Sequence, residues 1–275
     1  MGSRRQFRSG PTGCQPAMPR WVDTKLDQLG GLLLPPRCVL CGDRGQPPCL
    51  DLCRACEAGL PVAGSSLEDG PAPLRRCLAS FEYGHPVDHL VHALKYRGQL
   101  AVGRVLGTLL GERIAALGLQ ADVDVVLPVP LHPARHGDRG FNQSAEIGHW
   151  VARRLDRPLA MRLAVRRRDT RPQVGLAVEE RRSNLAGAFA AAPAARGLRV
   201  ALLDDVTTTG HTLQELAAAL VGQGAASVDG WCVARADRRG APAAGACAGT
   251  AAGRRDPAPA SGSTDSARRS RCRMS

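Results

Sequence analysis

Aromatic side chains are scarce in this chain. They make up 3% of its 275 residues, too few for the ladder of rings on which single-stranded nucleic acid stacks. Long apolar runs are missing too. The Leu-Leu-Leu run at 32–34 is the longest near the front and is cut by Pro35 and Pro36, so nothing approaches the roughly 20 apolar residues of a membrane-spanning helix. The first 17 residues lack the apolar core of a secretory signal. No G-x-x-x-x-G-K-[ST] stretch occurs, which excludes a P-loop nucleotide site. These absences predict a cytoplasmic protein with no membrane partner.

Charge is not lacking, but it is unevenly placed. The formal net charge is +12, and residues 1–20 and 241–275 together hold eight of those charges. The body is therefore only mildly basic. Both tails are dominated by small and polar residues without hydrophobic period and read as disordered. They offer weak, salt-sensitive contact with nucleic acid or any other polyanion. Met18 precedes the amphipathic start Pro19–Leu26, which makes it a candidate start of translation beside Met1. The length suits one α/β domain plus a small module. The expected division is 1–20 as disordered extension, 21–62 as a helix with a cysteine module, 75–238 as the main domain and 239–275 as a disordered basic tail.

The chain has ten cysteines, and without a secretory signal these point to metal or redox use before structural disulfides. Cys38, Cys41, Cys53 and Cys56 form C-x2-C-x11-C-x2-C. Two such knuckles complete a tetrahedral sulfur shell suited to zinc, and Gly42 eases the first turn. Four protein ligands leave no open position, so the zinc would be structural. The competing readings are unmetallated thiols or a redox pair, with Cys49 as a rival ligand. Cys14, Cys77, Cys232, Cys247 and Cys272 are expected to be free.

The most informative stretch is Val200–Thr212, V-A-L-L-D-D-V-T-T-T-G-H-T. Val200–Leu203 is an apolar run of the kind buried in a parallel sheet. Leu213, Leu216, Ala217, Leu220 and Val221 then follow helical spacing, with Gly224 as a stop. Asp204 and Asp205 therefore fall at the carboxyl end of a strand, where open α/β sheets bind ligands. Thr207, Thr208, Thr209, Gly210 and Thr212 lead into a helix N-terminus, which favours anions. Carboxylates for sugar hydroxyls, followed by hydroxyls and N–H groups for a phosphate, suit a ribose 5-phosphate. The plainer alternative is a capped strand-to-helix turn.

Elsewhere, Leu78–Tyr83 reads as a strand. Val87, Leu90, Val91 and Leu94 mark a short helix, and Val102 to Leu117 a long one. Asp124–Val129 reads as a strand leading into a Pro- and Arg-rich loop, and Ile147, Val151 and Leu155 as another helix. Leu159–Val165 and Ala186–Ala191 are expected to pair antiparallel, with a long functional loop between them, and Ser227–Ala234 closes the sheet. His85, Asp88, His89 and His92 could form a second metal site, although scattered solvated histidines are the simpler reading.

L-L-D-D-V-T-T-T-G-H-T resembles the phosphoribosyl pyrophosphate (PRPP) motif of type I phosphoribosyltransferases. C-V-L-C-G, H-A-L-K-Y-R-G at 92–98, P-V-P-L-H-P with R-G-F-N-Q at 128–143, and the 168–185 segment resemble the ComF (competence protein F) branch of that fold. Together the blocks cover roughly residues 21 to 237 in a consistent order. The resemblance implies a parallel-sheet α/β phosphoribosyltransferase domain behind a small N-terminal zinc module. It also implies transfer of phosphoribosyl from Mg²⁺-bound PRPP to an unknown acceptor, with release of pyrophosphate. Asp204 and Asp205 would be the catalytic acids on the ribose, and the Thr207–Thr212 loop the 5-phosphate cradle, with His211 turned outward. Lys95, Arg135, Arg139, Arg171 and Gln173 would serve the pyrophosphate and a closing lid at 168–185, although a solvated basic loop explains Arg135 and Arg139 equally well. Partners in competence or DNA processing are implied as well. A non-catalytic PRPP or nucleotide sensor that works on single-stranded DNA is the alternative.

Overall fold

The computed structural model describes residues 35–47, 50–64, 67–134, 140–168 and 187–236. All of them fall within one contact unit, Met1–Gly240. The expected N-terminal helix, both tails, the 169–186 loop, Cys49, Arg135, Arg139, Arg171 and Gln173 lie outside the described residues.

The central sheet is mainly parallel. Its strands are β1 (Leu67–Asp69), β2 (Arg76–Glu82), β3 (Val125–Pro128), β6 (Arg199–Thr207) and β7 (Ser227–Arg235), in the order β1-β2-β7-β6-β3. Only the edge strand β1 runs antiparallel to its neighbour; β2, β7, β6 and β3 are mutually parallel. Side chains alternate between faces, as strand geometry requires. On β6, Ala201 and Leu203 enter one apolar cluster while Val200 and Leu202 enter the other. The first face is covered by α2 (Val87–Arg97), α3 (Leu100–Ala116) and α4 (Gln143–Leu155), the second by α5 (His211–Gly222) and the two-stranded ribbon β4 (Ala164–Arg166) with β5 (Phe189–Ala191).

Two strand boundaries differ from the sequence reading, for a shared reason. β6 does not stop at Leu203 but runs on through both acids, because β7 pairs beside it as far as Thr207 with Arg235. The apolar run from Leu159 is divided between two sheets. Leu159 bridges in parallel to Val126, and only Ala164–Arg166 joins the ribbon. In both places a neighbouring strand, not the local pattern, sets the end.

Helices α3 and α4 pack unusually close. Gly103, Gly107 and Gly111 recur every fourth residue on α3 and so share one face. A Cβ on Gly107 would lie 2.6 Å from the Ile147 carbonyl oxygen and 2.7 Å from Trp150 Cβ. A side chain there would push α4 away. The consequence reaches the site below, because α4 delivers a residue to it.

The cysteine segment belongs to the same core. Leu52 and Leu60 are buried with Leu78, Val105 and Trp231. Backbone bonds from Ala63 N–H to Ser80 O (3.0 Å) and from Glu82 N–H to Pro61 O (2.8 Å) dock its end along β2. Asp51 is ion-paired with Arg104 of α3.

Candidate functional site

At the C-terminal end of β6, strand alternation separates the two acids. Asp205 is buried. Its Oδ2 lies 2.9 Å from Lys95 Nζ in the last turn of α2, and its Oδ1 accepts the Val206 N–H at 2.6 Å. Asp204 instead lines an open cleft of about 230 Å³, counted with its solvent-filled mouth, together with Val206, Thr207, Thr208, Gly210, His211, Thr212 and Leu213. One oxygen of Asp204, Oδ1, accepts from Ser144 Oγ at 3.0 Å and from the Asp205 N–H at 2.9 Å.

Ser144 was not foreseen as a site residue. It reaches Asp204 because Asn142 caps α4. The Asn142 side chain accepts from the N–H groups of Ser144 (3.0 Å) and Ala145 (3.4 Å) and donates to the Val129 carbonyl at 3.1 Å. The start of α4 is thereby tied to the end of β3, which sits beside β6. An Asn ahead of a helical period is a readable capping signal. The contact across 60 residues between Ser144 and Asp204 is not.

The electrostatics follow from burial. Burial acts most strongly on the Asp204 carboxyl, and the charge of Asp205 adds to it. Lys95 and the Ser144 and Asp205 hydrogen bonds pull the other way, and the net effect pushes it up to about 7. For Lys95, burial opposes the charge, but the attraction of Asp205 and Asp204 wins and the ammonium is held above its ordinary value.

The loop behind Asp204 has the features of an anion cradle. Gly210 adopts a left-handed conformation (φ +74°) directly before α5, and no side chain caps that helix and no acid lies in its first turn. The first-turn N–H groups of a helix point out of its end and favour negative charge. The Thr209 Oγ1 is buried without a hydrogen-bond partner among the described residues. Such an orphan calls for a ligand or water. His211, expected to face outward, in fact lines the cleft and is half-buried. As the first residue after the left-handed glycine it stands in the turn that faces the cleft.

The second constellation is the cysteine cluster. The sulfurs of Cys38, Cys41, Cys53 and Cys56 all lie within 4.8 Å of one another, and those of Cys41 and Cys53 are 3.7 Å apart. Around a tetrahedral ion with bonds of about 2.3 Å, sulfurs stand roughly 3.8 Å apart, so the four thiols form a cluster able to hold a metal ion. Each pair sits on a knuckle. Gly42 N–H bonds Cys38 O at 2.9 Å with φ +79° at the glycine, and Cys53 Sγ accepts from Cys56 N–H at 3.4 Å as it caps α1 (Arg54–Ala58). Burial resists ionisation of Cys38, but hydrogen bonds with the backbone of Cys41, Cys53 and Leu40 outweigh it and bring the thiol down to about 6. The hydrogen bond with Cys53 heads the causes that push Cys56 up. Among the described residues this is the one group of histidine, cysteine and acid side chains arranged to hold a metal. Asp88 instead accepts the His89 N–H at 2.6 Å, and the His92 ring packs 4.7 Å from Tyr96. Cys77 and Cys232 are free thiols. No described helix is long and apolar enough to cross a membrane.

No protein-family model matches the chain. Individual relatives do. It is 35% identical over 199 residues to the "DNA utilization protein YhgH" of Salmonella typhimurium, covering 68% of this chain and 85% of that protein. It is 34% identical over 163 residues to "Competence protein F" of Haemophilus influenzae, covering 56% of this chain and 70% of that protein. It is 26% identical over 207 residues to "Competence protein ComFC" of Bacillus subtilis, covering 72% and 77%.

Proposed function

The chain belongs to the ComF family of competence proteins, and from that premise we propose that it binds PRPP in the cleft beside Asp204 and transfers the phosphoribosyl group to an acceptor, with release of pyrophosphate. One observation carries the reading: a strand-end carboxylate and an uncapped helix N-terminus behind a left-handed glycine line the same cleft. Ribose hydroxyls suit the carboxylate, and a 5-phosphate suits Thr207, Thr208, Thr209, Gly210 and Thr212, where Thr209 Oγ1 waits for a partner. As the bond at the anomeric carbon lengthens, positive charge grows on the ring, and a carboxylate close by stabilises it. Mg²⁺ carried on the pyrophosphate and ribose oxygens would neutralise the departing group. Arg135, Arg139, Arg171 and Gln173 are proposed pyrophosphate and lid contacts. The four-cysteine cluster takes structural zinc, with no open position for chemistry.

The relatives are named for DNA utilisation and competence, so we place the protein's task in the uptake or use of DNA, in the cytoplasm and with competence or DNA-processing partners. Names that speak of DNA utilisation and competence suit equally a second reading, in which PRPP is sensed and not consumed. Calorimetric titration of Mg²⁺ and PRPP, followed by pyrophosphate-release assays over a panel of nucleobases and amines, separates the two. Binding with turnover supports the enzyme, and binding without turnover supports the sensor. No binding ends both.

A further inference from the structure

We propose that Asp204 and Asp205 are not interchangeable acids: Ser144 positions Asp204 to meet the ligand, and Lys95 holds Asp205 as a buried counter-charge beneath it. The inference rests on the PRPP reading above and deepens it.

The argument is a count of carboxylate oxygens. Asp205 has two: Oδ1 is taken by the Val206 N–H, and Oδ2 is buried and faces Lys95 Nζ in an ion pair at 2.9 Å, its other side without a hydrogen-bond partner and closed to the cleft. Asp204 also has two. Its Oδ1 is taken twice, by Ser144 Oγ and the Asp205 N–H, while no donor among the described residues meets Oδ2. A carboxylate held at one oxygen by two donors is fixed in rotation and presents the other to whatever enters. Asp204 lines the cleft and Asp205 does not. The free oxygen therefore belongs to the acid that faces the ligand.

Both positioning residues are specific to their places. Ser144 is almost fully buried, at 2% exposure, so its hydroxyl has no solvent role to fill, and leaving it unpaired would cost stability. Lys95 stands out by composition. Of 37 basic residues only Lys25 and Lys95 are lysines, and arginine serves everywhere else. A compact ammonium fits a single buried oxygen, whereas the planar fork of arginine needs two acceptors. Lys95 in this state is spent on Asp205. Its charge also attracts the carboxylate of Asp204 next door.

Double-mutant cycles on the full chain test this, with the affinity for PRPP in the presence of Mg²⁺ read by calorimetry and the melting temperature read alongside. Ser144→Ala should weaken binding about 10-fold in the wild-type and Asp205→Asn backgrounds, the size expected for one hydrogen bond to a charged group. In the Asp204→Asn background it should have less than about a 2-fold effect, because its partner is already altered. Lys95→Met should show the mirror pattern, with its effect largely absorbed by Asp205→Asn and not by Asp204→Asn. Lys95→Gln, which keeps a donor, replaces Lys95→Met should that variant fail to fold. Equal losses from Ser144→Ala in all three backgrounds, or no loss in any, overturn the inference while leaving PRPP binding standing. A wild-type protein that does not bind PRPP overturns the functional reading, and the inference with it.

Discussion

The cysteine module and the β6 cleft both begin from short contiguous motifs, but they are completed in opposite ways. The module's four donors come from a span of 19 residues, Cys38 to Cys56, and their sulfurs close on one another. The cleft takes its acids and its glycine-led helix start from 204–212 and is completed by Lys95 and Ser144, carried in on two other helices. A self-contained site needs only its spacing. A composite one needs the fold to be right first.

Removing metal tests the module most severely. Structural zinc in small peptide sites contributes on the order of 10 kcal/mol to folding. A strong chelator, or Cys38→Ser with Cys41→Ser, should therefore scatter the four-cysteine cluster and lower the melting temperature by many degrees. Metal analysis of the purified protein, followed by calorimetric melting with and without chelator, checks it. Protein without bound zinc and with an unchanged melt would break the comparison at its first term. Because Pro61 and Ala63 bond along β2, loss of the module should also loosen that strand.

The next largest effect is confined to the other region. Asp204→Ala with Asp205→Ala should abolish PRPP binding, more than about 100-fold if each charge-assisted contact contributes 1.5–3 kcal/mol, and leave zinc content unchanged. An unaltered affinity would mean that the site lies elsewhere. A parallel loss of zinc would mean that the two regions are not separate devices.

What could be read from the sequence follows the same division. C-x2-C spacing is geometry written directly in the chain, and the module's sulfurs do converge. The Asp-Asp-Val-Thr-Thr-Thr-Gly run announced its strand and its helix by hydrophobic period, because each is stabilised by its own pattern of burial. The end of β6 was misjudged by the length of two acids and two further residues, since pairing with β7, not apolarity, carries the strand on to Thr207. Lys95 was named only through family resemblance and for an anion contact; its placement against Asp205 depends on where α2 lands. Ser144 carried no signal at all, because a serine in the first turn of a helix is ordinary and its partner is 60 residues away. The outward-facing His211 failed for a related reason. A left-handed Gly210 re-aims the turn, and no periodicity reports that.

Between the two regions stands the α3–α4 contact, and Gly107→Ala strains it. The new methyl would meet the Ile147 carbonyl and Trp150 Cβ far inside normal contact distance. Overpacking of this kind costs about 1–3 kcal/mol, against the roughly 1 kcal/mol that alanine gains over glycine within a helix. A net loss of stability of up to about 2 kcal/mol in urea denaturation is expected, with a weaker affinity for PRPP because α4 carries Ser144. A stabilised variant would show that the helices can separate freely and that the position of Ser144 does not depend on this contact.

The last effect, read only as a dependence on pH, sets the two regions apart chemically. In the module a thiol, Cys38, is held down to about 6, whereas in the cleft a carboxyl, Asp204, is pushed up to about 7. The module favours one thiolate, at Cys38, and pushes Cys41 and Cys56 up, whereas the cleft resists the charge it holds. An acid whose pKa is near 3.9 unfolded and about 7 folded binds more protons in the native state between those values. Stability then falls as pH rises through that window. Asp204→Asn removes the penalty. Its melting temperature should exceed that of the wild type by several degrees at about pH 7.5, and the gap should shrink steadily as pH falls toward about 4, while PRPP binding is weakened at the higher pH, where the wild-type acid is ionised and useful. Thermal melts across pH 4.5–8 decide it. A gap that is constant with pH, or that widens toward acid, would mean that Asp204 is comfortable as a carboxylate and that the cleft was never built to hold a charge in reserve for its ligand.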